Sequence, residues 1–264
     1  SRNLMTVRIA QEIGIDKVAN FAKSLKIYDN PEELLSISLG SAETTLLKLT
    51  SAYSSFVNGG KLVEPIFLDR IRDSEGNTIF SSEKRVCEKC KDISYLGKDI
   101  PKIKDNFIQI FSEETAYQIT SMLEGAIKRG TGRKLRDLNL DLAGKTGTTN
   151  KNTDTWFVGF TSKLVVGVYV GFDEPQSLGK FETGAKTAMP IFKEFVKKGV
   201  KKKDARPFKV ADNIIMMVVD HTTGKKANFA SKETIIEAFK KNKFNFKDNK
   251  NLDINNRLKN NNIL

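Results

Sequence analysis

Leu142-Ala143-Gly144-Lys145-Thr146-Gly147-Thr148-Thr149 is the stretch on which the fold turns, and it admits two chemistries. A phosphate-binding loop needs Gly-x-x-x-x-Gly-Lys-Ser/Thr, so that successive backbone amides wrap a phosphate and a helix opens behind them. Gly144-Lys145-Thr146 supplies the end of that pattern, but Asn139 stands where its first glycine belongs, and the text from Thr153 onward reads as strand. That excludes the phosphate loop. Taken instead as a strand, the residues suit a carboxylate-bearing, extended ligand. Lys145 brings a positive charge, Gly147 lets a ligand backbone lie close, and the hydroxyls of Thr146 and Thr148 can hold a carboxylate.

Working outward, Trp156-Phe157-Val158-Gly159-Phe160, the turn Thr161-Ser162-Lys163 and Leu164 to Phe172 predict two antiparallel strands. A helix follows, with Pro190 near its first turn, Ile191, Phe192, Phe195 and Val196 on one face, and Gly199 as its end. Upstream, Ser112 caps a helix whose stripe is Ala116, Ile119, Met122, Leu123, Ala126 and Ile127, and which Gly130 ends. Thr44 to Val57 predicts another helix, stopped by Asn58-Gly59-Gly60. Residues 4–26 predict two more, broken at Gly14, with Asp16 as N-cap of the second. Val63 to Ile71 and Thr78 to Phe80 read as a hairpin across Asp73-Ser74-Glu75-Gly76-Asn77, and Ser81 to Asp105 as a long polar loop. Ile214 to Val219 predicts a strand and Ser231 onward a short helix. From Asn242 the Asn/Lys-rich text cannot bury enough apolar surface to fold, which predicts disorder. Helices first, then strands with one helix inserted, give an α+β class around an antiparallel sheet.

The 264 residues carry 44 Lys/Arg against 32 Asp/Glu, a net charge of +12, which favours acidic partners without choosing among them. Residues 239–264 hold seven Lys/Arg, two Asp and nine Asn, so much of the surplus belongs to a tail. No basic-aromatic stripe or nucleic-acid module accompanies it, which argues against a nucleic-acid partner. The longest apolar run, Ile214 to Val219, is far too short to span a membrane. Cys87, Cys90 and His221 are three soft ligands, short of the four that close a structural zinc site, so no metal is expected. Cys87 and Cys90 form either a small disulfide loop, the reading placed first, or two free thiols.

Further blocks stand in order along the chain. Ser1-Arg2-Asn3 leads into Leu4-Met5-Thr6-Val7-Arg8, followed by Leu39-Gly40-Ser41-Ala42-Glu43-Thr44-Thr45 and Ala52-Tyr53-Ser54-Ser55-Phe56-Val57-Asn58-Gly59-Gly60. After the Lys145 strand come Asp154-Thr155-Trp156-Phe157-Val158-Gly159-Phe160, Val166-Gly167-Val168-Tyr169-Val170-Gly171-Phe172-Asp173 and Glu182-Thr183-Gly184-Ala185. In residue type, order and spacing these blocks resemble the transpeptidase domain of class A (bifunctional) penicillin-binding proteins, nearest to those of type 1A, over roughly residues 1–200. The Lys-Thr-Gly strand is the element that serine acyl-transferases reacting with β-lactams share.

The resemblance implies a β-lactamase/transpeptidase-like antiparallel sheet with flanking helices, incomplete because the N-terminal part of the domain is missing. It divides the chain into a partial transpeptidase domain at 1–200, a C-terminal extension at 201–241 with a short strand and helix, and a tail at 242–264. It implies a D-alanyl-D-alanine transpeptidase acting through a serine acyl-enzyme on the periplasmic face of the bacterial inner membrane, with no cofactor. Its ligands would be peptidoglycan stem peptides and β-lactams. By position, Ser1 would relay protons, Asn3 would bind the substrate amide and Lys145 would support Ser1 electrostatically. Thr146, Gly147 and Thr148 would form the substrate-binding wall, and the Thr148 amide would supply an oxyanion donor worth about 3 kcal/mol.

One departure from the family pattern is large. The family's nucleophile and base come from Ser-x-x-Lys ahead of Ser-x-Asn, yet here Ser-x-Asn opens the sequence, which implies a cut inside a domain. The Ser-x-x-Lys strings present, Ser81 to Lys84 and Ser177 to Lys180, lie in polar turn text after Ser-x-Asn and read as solvated loops. The expectation is a chain inactive alone, with the missing N-terminal half as partner. The alternative is a non-catalytic remnant that binds peptidoglycan or a partner.

Overall fold

The computed structural model describes residues 2–88, 102–201 and 204–243; Ser1, Cys90 and the tail from 244 lie outside the described residues. Its helices are α1 (Asn3–Ile13), α2 (Ile15–Ser24), α3 (Leu46–Val57), α4 (Glu113–Lys128) and α5 (Ala188–Gly199). Its strands are β1 (Arg70–Arg72), β2 (Thr78–Ser81), β3 (Val86–Glu88), β4 (Lys102–Lys104), β5 (Ala143–Thr148), β6 (Asp154–Phe160), β7 (Val165–Gly171), β8 (Ile214–Asp220) and β9 (Thr234–Lys240).

The centre is a three-stranded antiparallel sheet in the order β5-β6-β7, with helices on both faces. Alternation along β6 explains why. Phe157 points to one face and meets Phe192 of α5 at 4.7 Å between rings, while Phe160 points to the other and meets Tyr53 of α3 at 6.4 Å. Under α5, Leu142, Phe157, Met189, Phe192 and Val196 join Ile127 of α4 and Leu135 in one core, each 4% exposed or less. Each large apolar side chain buried there contributes about 1.5–3 kcal/mol. Glycines let the layers approach. A Cβ on Gly159 would stand 2.7 Å from the Phe192 ring, and one on Gly167 of β7 would collide with the Thr50 hydroxyl of α3.

Local chemistry sets the helix ends. Thr45 and Ser112 accept the amides of Lys48 and Thr115, capping α3 and α4 as side chains of that type do. Asp16 does not cap α2. Gly14 at φ 101° joins α1 to α2 with no residue to spare, so it takes the N-cap position and Asp16 falls in the first turn, where its charge still suits the helix dipole.

Three further expectations need correcting. The hairpin around Asp73 forms, its carboxylate accepting the amides of Glu75 and Asn77, but only Arg70–Arg72 of the run from Val63 is strand. The polar stretch after Ser81 is not all loop: β3 and β4 pair antiparallel, and Cys87 is disulfide-bonded. The helix expected from Ser231 is instead β9, paired with β8 along its whole length. Ile235, Ile236, Ala238 and Phe239 have helix-compatible spacing, yet β-branched Thr234-Ile235-Ile236 and the waiting partner β8 decide for strand. That hairpin docks on α4 through Gln118 to the Ala238 carbonyl (3.0 Å) and Arg129 to Glu237 (2.9 Å).

Candidate functional site

Lys145, Thr146, Gly147 and Thr148 lie in register opposite Val158, Phe157, Trp156 and Thr155 on β5, an edge strand of the central sheet. The strand begins buried at Ala143 and Gly144 and ends exposed at Thr148, so the polar residues emerge in order from the core.

Lys145 is half-buried, and its ammonium donates to the Thr146 carbonyl at 2.9 Å. Burial holds its pKa below the usual lysine value, because desolvation penalises the charged form. The Thr146 hydroxyl lies 3.2 Å from that of Thr131, in the turn after α4. A side chain at Gly147 would be tight: its Cβ would stand 3.0 Å from the Cβ of Trp156, which would have to shift. The Trp156 indole is itself fixed by donating to Asp154 at 3.0 Å and by an edge contact with Tyr169.

The Thr148 hydroxyl oxygen accepts the Gly184 amide at 3.0 Å. Gly184 sits on a strap, residues 182–187, that crosses β5 just before α5 begins. A Cβ on Gly184 would stand 2.5 Å from the Gly147 carbonyl oxygen and would collide with that of Trp156, so only glycine fits. The strap is braced at both ends. Glu182 takes hydrogen bonds from Lys186 (2.5 Å) and the Thr187 hydroxyl (2.6 Å), and the Met189 amide donates to the Gly184 carbonyl. Those two donors hold the Glu182 carboxyl below the usual range.

Thr131 and Gly184 are the parts of this arrangement that sequence reasoning missed. The block Glu182-Thr183-Gly184-Ala185 stood out, but nothing in it announces contact with a residue 36 positions upstream. Asn3 begins α1 and is exposed, with no side-chain hydrogen bond among the described residues; α1 packs on α2 and on the 3-10 turn Leu35–Leu39. Neither Ser-x-x-Lys string meets the strand chemistry. Ser81 ends β2, and exposed Ser177 accepts the Gly179 amide within its own turn.

Residues 1–197 match the family model described as the penicillin binding protein transpeptidase domain. Over 253 residues the chain is 44% identical to Penicillin-binding protein 1A of Rickettsia typhi, covering 94% of this chain and 32% of that protein. It is 31% identical over 271 residues to Penicillin-binding protein 1A of Pseudomonas aeruginosa, covering 91% of this chain and 33% of that one. The crystal structure of Penicillin-Binding Protein 1A from Haemophilus influenzae superposes with a TM-score of 0.73 at 30% identity, covering 89% of this chain and 38% of that one. The chain thus spans about a third of the length of the curated relatives it matches.

Proposed function

The chain belongs to the penicillin-binding protein transpeptidase family, in its type 1A branch, and from that premise we propose that it forms the substrate-facing wall of a peptidoglycan D,D-transpeptidase. The observation that carries the reading is the edge strand β5, which presents a half-buried lysine, a side-chain-free glycine and two oriented threonine hydroxyls along a run that opens from the core to an exposed end at Thr148.

In this reading a serine from a Ser-x-x-Lys element outside these positions attacks the carbonyl of the penultimate D-alanine. The C–N bond breaks, terminal D-alanine leaves with the serine's proton, and an amine of a neighbouring stem peptide then displaces the serine from the ester. Thr146 and Thr148 hold the terminal carboxylate, Gly147 admits the peptide backbone, and the Thr148 amide stabilises the tetrahedral oxyanion. Lys145 supports the proton relay of Ser1, and Asn3 binds the substrate amide. β-Lactams occupy the same wall. The chemistry takes place on the periplasmic side of the inner membrane; none of the described helices is long and apolar enough to cross one.

The 264 residues by themselves are expected to form no acyl-enzyme, because removing the nucleophile abolishes the covalent step. Fluorescent penicillin followed by denaturing electrophoresis tests this, and a labelled band at 29.6 kDa sinks it. Co-expression with a segment carrying Ser-x-x-Lys at the head of an apolar helix should then give a labelled band at that segment's mass, lost in Lys145→Ala. Absence of label from the pair overturns the catalytic reading in favour of a non-catalytic binding role.

A further inference from the structure

A cavity of about 380 Å³ lies at the opposite end of the sheet from Thr148, between the end of α3, the start of α4, the β6–β7 turn and residues 206–211. Thr148 pairs with Thr155, and six residues of β6 and its turn separate Thr155 from the cavity wall, about 20 Å at strand rise. Its floor is aromatic, made by Phe56 of α3, Tyr117 of α4 and Phe208. Phe208 is fixed there by an edge contact with Phe160, 5.6 Å between ring centres.

Its rim is basic. Lys61, Lys163, Arg206 and Lys209 line it against one carboxylate, Glu113. Lys163 is engaged by Asp204 at 3.2 Å, and Lys61 stands 5.5 Å over the Phe107 ring. Arg206 and Lys209 are exposed and have no ion-pair partner among the described residues. Like charges around one opening raise the local potential, and an anion seated among them relieves it. An aromatic floor beneath such a rim selects a ligand with an apolar body and a charged head.

We propose that this cavity binds a small amphipathic anion, a carboxylate or phosphate carried on an apolar body, at a site separate from the β5 wall. Arg206 and Lys209 grip the head as charge-assisted donors, while Phe56, Tyr117 and Phe208 receive the body.

Ligand-observed NMR titration of the full 264-residue chain tests it, with phenylacetate, phenyl phosphate and neutral phenylacetamide as probes. Both anions should bind at least about tenfold more tightly than the amide, and the tighter of the two identifies the head group. The double variant Arg206→Gln/Lys209→Gln should weaken the anions roughly tenfold and leave the amide unchanged. Glu113→Gln should strengthen them about two- to threefold, a gain that misfolding does not mimic. Equal binding of the amide, or anion binding untouched by the double variant, overturns the proposal.

Discussion

Helices α1 and α5 carry apolar residues at similar helical spacing, yet they end in opposite surroundings. On α5, Ala188, Met189, Phe192 and Val196 are all at most 1% exposed beneath the central sheet, whereas Ile191 and Phe195, expected on the same apolar face, are 51% and 52% exposed. On α1, Leu4, Met5, Ile9 and Ile13 are 48–65% exposed, and only Ala10 is buried. Periodicity therefore says which side of a helix is apolar, whereas burial depends on what lies opposite it. For α5 the covering element is the β6–β7 hairpin immediately before it in sequence. For α1, the described residues supply α2 and a single 3-10 turn. An apolar face of that extent suits a further packing partner, and in the reading proposed above that partner is the part of the domain carrying the nucleophile.

The sharpest way to break this contrast is truncation on each side. Phe192→Ala should cost about 3–5 kcal/mol, because it empties a site in full contact with Phe157; denaturant unfolding measures it, and a loss under 1 kcal/mol would remove the core assigned to α5. Gly184→Ala tests whether the strap inherits that rigidity. A Cβ 2.5 Å from the Gly147 carbonyl oxygen should lift it off β5 at about 1–3 kcal/mol, seen as a lower Tm and faster amide exchange at Gly184. Thr148→Val leaves the Gly184 amide without its acceptor and should cost about 1–2 kcal/mol by the same unfolding assay. On α1, the pair Leu4→Ser and Ile9→Ser should change the stability of this chain by less than about 0.5 kcal/mol while reducing its binding of an apolar dye. A large loss there would mean that α1 is already covered.

A pH test reads the sheet face opposite α5. Burial against Phe56 and Phe160 pushes the Tyr53 phenol up to about 12 from 10.0. Because the folded pKa is the higher, the unfolded chain loses this proton first. The associated stability is complete below pH 10 and disappears as pH climbs from 10 towards 12. Phenolate absorbance should show Tyr53 ionising last or only on unfolding. Ionisation near pH 10 in the folded chain would place Tyr53 in water.

Much of this arrangement was legible in the residues, and the failures have physical reasons. The central sheet was readable because Trp156 to Phe160 and the run after Leu164 are strongly β-forming and joined by a short turn, so local preference and tertiary pairing agree. β9 was misread because its seven residues support either period, and only β8 and α4 choose between them. β3 and β4 were missed since a three-residue strand in polar text leaves no hydrophobic signal. At the candidate site, the Lys145 to Thr148 strand announced itself through residue type. Its support from Thr131 and Gly184 did not, because both contacts depend on how distant segments cross.

The bond from Gly184 to Thr148 has one more consequence, which concerns discrimination rather than stability. A threonine hydroxyl owns a single proton and two lone pairs. With one lone pair already held by the strap amide, the group is oriented, and its proton is what remains most available on the open side of β5. A visitor that arrives with lone pairs only, such as a carboxylate, finds a donor in place. One that arrives with N–H groups only must share the hydroxyl oxygen with the strap amide and take its one remaining lone pair. The strap thereby orients the hydroxyl at the strand's end through a glycine 36 residues away.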